Sequence, residues 1–375
     1  MSRKNLNWFV ITIVLFSIVL LSMFFIRALS ESDESSRPVK IGVIIPLTGN
    51  YSSIGEKIKN GLELAKSDIE KKNPKLKIVL VYEDACMGPE AVSATHKLIN
   101  IDQVKIIGSQ FCVPGLIPSL EITEPQKIIN VGIAASSNSI LSKDYYFSPN
   151  SSIKENSIII ADYASHNLKA KRAAFLYYDT QLGKDYREEM GKRFESLGGS
   201  IVADEMTALA QTDFRANLIK IKGAKPDVIF MTQITGGLGI ALKQAREMGI
   251  DVKIIGNVSN EDSVMLSVAG KAAEGFIFPS ADPSLLGKDM TGFENRFLSK
   301  YGVSSDYFSS SAYDALSLEI LAYTKCGGDS DCMMTELREV SNYPGASGEI
   351  SVNKEGIASK PVLFKVVRDG KFIPI

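Results

Sequence analysis

The sequence contains few of the residues on which hydrolases and metal sites most often depend. Among 375 residues there are only two histidines, His96 and His166. Two histidines so far apart in the sequence argue against serine–histidine catalysis and against a histidine-built zinc site. An excess of charge is also lacking, because 42 basic and 43 acidic residues give a net charge of −1. Without a basic surface, non-specific binding of nucleic acid is not expected.

Motifs that bind phosphate groups or activate a nucleophile are missing as well. The sequence has neither a P-loop pattern nor a GxSxG pattern. Residues 236–239 (GGLG) follow a predicted strand and open a predicted helix, which is the context of a phosphate-binding loop, but they do not form GxGxxG. A dinucleotide-dependent enzyme is therefore the least favoured interpretation. We predict a protein that is not an enzyme and holds no cofactor and no metal.

The longest hydrophobic run lies at the N-terminus. Residues 8–26 carry no charge, and at about 1.5 Å per residue they span roughly 28 Å, close to the thickness of the hydrocarbon core of a bilayer. Signal peptides usually have a shorter apolar region, so a retained membrane helix is favoured, although residues 28–30 (ALS) leave cleavage open. The prediction is a cytoplasmic stub (1–7), this anchor, a flexible tether (27–37) and an extracytoplasmic body, at the cell surface or in the periplasm.

The four cysteines all lie in the body and are even in number. In an exported chain such cysteines are expected to form disulfides, and three pairings are possible. Cys326 and Cys332 are close enough in sequence to close a small loop. Cys86 and Cys112 each follow a predicted strand.

Short apolar runs alternate with amphipathic runs through the body, as in βαβ units with a parallel sheet. Strands are predicted at residues 39–47, 76–82, 104–108, 128–132, 172–178, 200–203, 227–232, 252–256 and 275–279. Helices are predicted at residues 54–70, 91–101, 156–166, 184–197, 214–222, 239–248 and within 289–325. Because the alternation restarts after residue 150, the fold class is α/β with two similar, doubly wound Rossmann-like lobes.

The end of the chain does not continue this alternation. Residues 347–375 are predicted to form strand, turn and strand, with Asp369-Gly370 as a hairpin turn. The simplest arrangement returns the late helices to the first lobe and the final strands to the second. The first lobe then comprises 38–148 with 281–345, and the second comprises 149–280 with 346–375, with a cleft between them.

Polar and hydroxylated residues follow several predicted strands, where doubly wound sheets bind their ligands. Hydroxyl groups and free N–H groups of helix N-termini suit a carboxylate or another small polar molecule. The candidate ligand-binding residues, including those selected by the resemblance described next, are Tyr51, Gln110, Val113, Ala134, Ser136, Ser137, Tyr178, Ile234, Thr235 and Val258.

Several segments together resemble the extracytoplasmic solute-binding proteins of branched-chain amino-acid ABC transporters. These segments are residues 39–55 (VKIGVIIPLTGNYSSIG), 81–89 (VYEDACMGP), 106–112 (IIGSQFC), 208–221 (ALAQTDFRANLIKI), 245–249 (AREMG), 269–275 (AGKAAEG) and 312–315 (AYDA). The resemblance implies a type I periplasmic-binding fold, in which three crossovers join the lobes and the lobes close on a solute. It also implies a Cys86–Cys112 disulfide, and an ABC permease with ATPase subunits as partners.

The family's ligand-binding residues are only partly retained. The small-small-hydroxyl segment is similar at residues 134–136 (AAS), whereas Val113-Pro114 stands where the family has a carboxylate-binding hydroxyl. Ile234 replaces an aromatic residue, and Val258 lies near the position of the acid that holds the ammonium group. Since an unpaired buried ammonium is costly, such a pocket is expected to bind ordinary α-amino acids poorly. The ligands that remain are then a neutral amide, a hydroxy acid or a modified compound.

The function predicted from the sequence is capture of a small polar solute, an amino acid or a related compound, for delivery to a permease. The alternative is a ligand-sensing ectodomain or adaptor that signals through a separate membrane protein, because only seven residues precede the anchor.

Overall fold

The computed structural model describes residues 38–134, 136–141, 143–281 and 288–375. The first half of the chain forms β1 (Val39–Ile45), α1 (Ser52–Lys72), β2 (Ile78–Asp84), α2 (Gly88–Asn100), β3 (Ile106–Gln110), α3 (Val113–Thr123), β4 (Ile129–Gly132), β5 (Tyr146–Phe147), α4 (Ile153–His166), β6 (Arg172–Tyr178) and α5 (Gln181–Ser196). The predicted stub, anchor and tether lie outside the described residues. Among the residues described, no helix is both long and apolar enough to cross a membrane.

The second half completes the set of elements. It forms β7 (Ser200–Thr207), α6 (Arg215–Gly223), β8 (Val228–Met231), α7 (Thr235–Glu247), β9 (Lys253–Ile255), α8 (Ser263–Ala269), β10 (Ile277–Ala281), α9 (Lys288–Tyr301), α10 (Tyr307–Cys326), α11 (Ser330–Arg338), β11 (Tyr343–Gly345), β12 (Gly348–Val352), β13 (Ala358–Ser359), β14 (Val362–Arg368) and β15 (Lys371–Pro374).

The first lobe is built on a parallel sheet with the strand order β2-β1-β3-β4-β5. Its central strands are buried on both faces, which explains their continuous apolar sequence. On one face, Ile41 and Val43 pack in a core with residues of α1 and α10. On the other face, Ile44 and Ile107 pack with residues of α2. Helices therefore cover both faces, as predicted for a doubly wound sheet.

The second lobe is built on a sheet with the order β15-β14-β10-β9-β8-β6-β7. Strands β6 to β10 are parallel, and β14 and β15 add an antiparallel hairpin at one edge. The hairpin turn consists of Asp369 and Gly370, whose φ angles are 52° and 66°. Positive φ at both turn residues is the requirement that Asp-Gly meets, so the predicted turn is confirmed. Separate apolar cores cover the two faces of this sheet.

The late helices pack in the core that covers one face of the first sheet. The helical segment predicted within 289–325 consists of two helices, α9 and α10, separated after Gly302, which has a φ of 72°. Ala346, Ile350 and Ala358 also pack in the core of the first lobe, whereas β14 pairs with β10. The division into lobes stays a prediction, and from this packing we propose that the third crossing lies between β13 and β14 rather than near residue 346.

Two disulfides are present. Cys86 is bonded to Cys112, as the family resemblance implied, and Cys326 is bonded to Cys332. The first joins the segments that follow β2 and β3. The second closes the short loop between α10 and α11.

Candidate ligand-binding site

A pocket of about 70 Å³ lies where the carboxyl ends of the strands of both sheets meet. The residues that line it are Tyr51, Cys86, Met87, Phe111, Cys112, Val113, Pro114, Ala134, Tyr178, Thr180, Leu182, Gly183, Tyr186, Leu209, Thr232, Ile234 and Ser259. They follow β1 to β4 in the first lobe and β6 to β9 in the second, which is the position expected for a ligand in doubly wound sheets.

The wall from the first lobe is mainly apolar. Phe111 lies edge-on to Phe308 of α10, with 5.3 Å between the ring centroids, so the core holds it in place. Cys86 and Cys112 both line the wall, and we call their bond the pocket disulfide; Cys326–Cys332 is the distal disulfide. The pocket disulfide ties together the segments that lead into α2 and α3, and it thereby fixes the spacing of this wall.

The wall from the second lobe carries hydroxyl groups. Tyr178, at the end of β6, places its hydroxyl against the first turn of α7, because a Cβ atom at Gly237 would lie only 2.2 Å from it. Burial, with the neighbouring Tyr51 phenol adding to it, raises the pKa of Tyr178. Burial also raises the pKa of Tyr51. Both phenols therefore stay protonated at neutral pH and can donate hydrogen bonds.

The two walls are in contact with each other in this structure. Leu182 and Ile234, from the second lobe, pack against the apolar core of the first. Lys57 of α1 lies 2.9 Å from the carboxylate of Asp262, at the start of α8, and 2.9 Å from that of Asp306 in its own lobe. Burial opposes the charge of Lys57, but Asp306 and Asp262 outweigh it and raise the pKa of the amine. The structure therefore represents a closed cleft.

No charged side chain is among the residues that line the pocket in the described part of the chain. Glu261 and Asp262, which follow Val258, have other partners: Glu261 pairs with Lys365, and Asp262 pairs with Lys57. The described residues also contain no cluster of side chains that could hold a metal ion. The pocket thus offers apolar surface and hydroxyl donors to a solute, and it lacks a carboxylate that would pair with an ammonium group.

Five of the predicted ligand-binding residues line the pocket. They are Tyr51, Val113, Ala134, Tyr178 and Ile234. Each of them lies at the end of a strand, follows a strand or begins a helix at the carboxyl edge of a sheet, and as ligand contacts they stay predictions.

The structure places the other five elsewhere. Gln110 donates to the Ser119 hydroxyl, and Ser136 is hydrogen-bonded to the Tyr146 hydroxyl. Ser137 donates to Asp185 across the cleft. As ligand contacts, these residues stay predictions.

Thr235 and Val258 complete this second group. Thr235 is the first residue of α7 and has a φ of 49°. Val258 lines a smaller cavity with Asn150 and the buried Lys360, close to two of the chain crossings. Ala135, the middle residue of the small-small-hydroxyl segment, lies outside the described residues.

Sequence reasoning missed several residues of the lining. Phe111, Thr180 and Leu209 each stand within three residues of the end of a strand. That position was the available signal.

Comparison with known proteins places this architecture in a family. The sequence model of a family described as periplasmic binding protein matches residues 38–371. A leucine-, isoleucine-, valine-, threonine- and alanine-binding protein of Pseudomonas aeruginosa is 22% identical over 338 residues, which cover 88% of this chain and 90% of that protein.

Solved structures agree with that match. A leucine-binding protein of Thermotoga maritima superposes with a TM-score of 0.84 at 23% identity, over 90% of this chain and 97% of the other. A solute-binding protein of an ABC transporter from Rhodopseudomonas palustris, in complex with 3,4-dihydroxybenzoic acid, superposes with a TM-score of 0.80 at 26% identity, over 90% and 96%. The chain has the type I periplasmic-binding fold, and it belongs to the periplasmic binding protein family.

Proposed function

We propose that this protein is an extracytoplasmic receptor that captures a small solute between its lobes and delivers it to an ABC permease with its ATPase subunits. The observation that carries the proposal is the pocket itself, which is enclosed by the carboxyl ends of both sheets and lined by apolar and hydroxyl side chains. Membership of the periplasmic binding protein family supports it. Residues 8–26 would hold the body at the outer face of the membrane.

The proposed solute is a small carboxylic acid with an aliphatic or aromatic body and no α-ammonium group. The lining supplies hydroxyl groups for a carboxylate and apolar surface for the body. It supplies no carboxylate for an ammonium group, and burying an ammonium without a partner costs several kcal/mol, on the order of 3–5. The complex of the Rhodopseudomonas protein with 3,4-dihydroxybenzoic acid supports an acid of this type.

The mechanism follows from the contacts between the walls. An open form would expose Leu182 and Ile234 and would separate Lys57 from Asp262. A solute that touches both walls adds contacts only in the closed form, so binding shifts the population towards it. The permease would then recognise the closed form.

The test is isothermal titration calorimetry of the full-length chain in detergent micelles. The panel contains benzoate, 3,4-dihydroxybenzoate, 4-methyl-2-oxopentanoate and leucine. We expect at least one acid without an ammonium group to bind more tightly than leucine, together with compaction in solution scattering. Absence of binding heat for the whole panel would count against the proposal. Loss of uptake of the bound acid on deletion of the gene would support delivery, and intact uptake would favour the sensing alternative.

A further inference from the structure

Among the described residues five helices begin at the pocket; α1 continues from a 3₁₀ turn (Gly49–Tyr51), and the N-termini of the other four differ in what they can offer an anion. At α2, the Glu90 carboxylate already accepts the N–H of Met87. At α5, the Thr180 hydroxyl accepts the N–H of Gly183. Both N-termini are thus occupied by side chains of the protein itself.

The N-terminus of α3 is occupied in another way. Pro114 has no N–H group, and the N–H groups of Gly115 and Leu116 both bond to the Cys112 carbonyl. Only the N–H of Val113 remains in this first turn. This is the region where the family resemblance had suggested a carboxylate-binding hydroxyl, and the residue here is a valine.

The N-terminus of α7 differs from the other three. Its N-cap residue, Ile234, lines the pocket and makes no side-chain hydrogen bond to the helix. The first N–H that bonds back is that of Leu238, to the Ile234 carbonyl at 3.3 Å. Helix geometry leaves the preceding N–H groups without a helical partner. Two of these belong to Gly236 and Gly237, and the absence of a side chain at Gly237 makes room for the Tyr178 hydroxyl beside the backbone.

A second and independent feature lies beside this helix end. Thr232, at the end of β8, lines the pocket and is 4% exposed. Its Oγ1 atom is buried and has no hydrogen-bond partner among the described residues. A buried hydroxyl without a partner is destabilising, so its retention in a pocket wall indicates that a ligand atom completes it.

Tyr178 supplies a third group at the same place. Its hydroxyl lies against the first turn of α7, in the space that a Cβ atom of Gly237 would fill. Thr232 and Tyr178 stand on neighbouring strands, since β6 pairs with β8. Two hydroxyls and the free N–H groups of a helix N-terminus therefore converge on one edge of the second lobe.

We propose that the carboxylate of the solute binds at the N-terminus of α7, between the hydroxyls of Thr232 and Tyr178, on the wall from the second lobe. This inference rests on the proposed function and adds to it the orientation of the solute. The apolar body of the solute then faces Val113 and Phe111 on the wall from the first lobe.

The test compares acids with their primary amides, because an amide keeps the shape of the acid and removes its charge. Titration calorimetry of the full-length chain in detergent would use benzoate, 3,4-dihydroxybenzoate and 4-methyl-2-oxopentanoate, each with its amide. Thr232→Val removes the hydroxyl at nearly constant volume. We expect it to weaken binding of the acid about 10- to 100-fold, and of the amide by less than about tenfold, because hydrogen bonds to charged groups are the stronger ones.

Two further variants control for a merely structural role of Thr232. Thr232→Ser keeps the hydroxyl and should recover most of the affinity. Thr207→Val removes a buried hydroxyl at the end of β7 that donates to the Tyr177 carbonyl, and it should change affinity by less than about twofold. If Thr232→Val does not fold, the same comparison of acid with amide is made with Tyr178→Phe.

The outcomes separate this inference from the proposed function. Failure of the wild-type chain to bind any member of the wider panel overturns both. Normal binding by Thr232→Val, or an equal loss for acid and amide, overturns the inference alone. A structure of the complex with the carboxylate at Val113 and α3 also overturns the inference alone.

Discussion

Replacing Glu319 by glutamine should stabilise the protein, and increasingly so as the pH rises. Glu319 of α10 is fully buried against the sheet of the first lobe, and neither carboxyl oxygen has a hydrogen-bond partner among the described residues. It occupies the space beside Gly108, where a Cβ atom would lie 2.9 Å from Oε2. Burial raises the pKa of this carboxyl from 4.5 to about 8.

The size of the effect follows from proton linkage. Between pH 4.5 and 8, the folded chain holds a proton at Glu319 that the unfolded chain has released, so the stability of the fold falls as the pH rises. At about 1.4 kcal/mol per pKa unit, the cost is about 1 kcal/mol at pH 5 and about 3 kcal/mol at pH 7, and it approaches about 5 kcal/mol well above pH 8. Glutamine resembles the protonated acid in shape and does not ionise, so Glu319→Gln removes this pH dependence.

Thermal unfolding followed by circular dichroism from pH 5 to pH 8 would measure this pH dependence of stability. At pH 7 we expect Glu319→Gln to unfold roughly 6–12 °C above the wild type, at about 2–4 °C per kcal/mol for a domain of this size. The gap should narrow towards pH 5. Glu355→Gln, at an exposed position, serves as the control and should follow the wild-type curve. The reasoning would be refuted if the difference in unfolding temperature between variant and wild type stayed constant with pH. It would also be refuted if the wild type were more stable than the variant at pH 8.

Three other perturbations test the site. Gly237→Ala should weaken binding of the acid more than Gly236→Ala. A Cβ atom at Gly237 would lie 2.2 Å from the Tyr178 hydroxyl, whereas a Cβ atom at Gly236 would lie 4.0 Å from its nearest neighbour. Calorimetry on both variants decides this. Replacing both cysteines of the pocket disulfide by serine should weaken solute binding, whereas the same change in the distal disulfide should lower thermal stability alone. If the two variants lost affinity equally, a positioning role of the pocket disulfide would be contradicted. Lys57→Met should loosen the closed form and weaken binding about fivefold at low salt, with a smaller effect in 1 M salt, since the lost pair to Asp262 is electrostatic; solution scattering would follow the opening.

The fold could be predicted from the sequence because its central strands are buried on both faces and therefore appear as unbroken apolar runs. The prediction missed three helices, α8, α11 and α3, and the reason is clear for α3. Pro114 lies in its first turn and Pro118 lies inside it, so the sequence argued against a helix there. A proline is tolerated in the first turn, where the N–H group has no helical partner in any case, but only the packed structure shows that the second one is accommodated.

The sequence predicts the edge of the sheets at which the site lies, but it does not predict which side chains line the pocket. Adjacent residues at the end of a strand point to opposite faces, so a choice between Gln110 and Phe111 depends on an orientation that sequence spacing does not supply. Gln110 turned inward to Ser119, and Phe111 reached the pocket. Contacts between distant segments, such as Lys57 with Asp262, carry no local signal at all.

The packing of the late helices against α1 has a consequence for synthesis of the chain. Residues of α1 pack with residues of α9 and α10, for example through the hydrogen bond from the Tyr301 hydroxyl to the Asn60 carbonyl, which spans 241 positions. A ribosome must therefore translate most of the message before the face of the first sheet that carries Ile41 and Val43 can be fully covered. Until then the nascent polypeptide stays incompletely folded, which is the form that a translocation channel can thread and that cellular chaperones recognise.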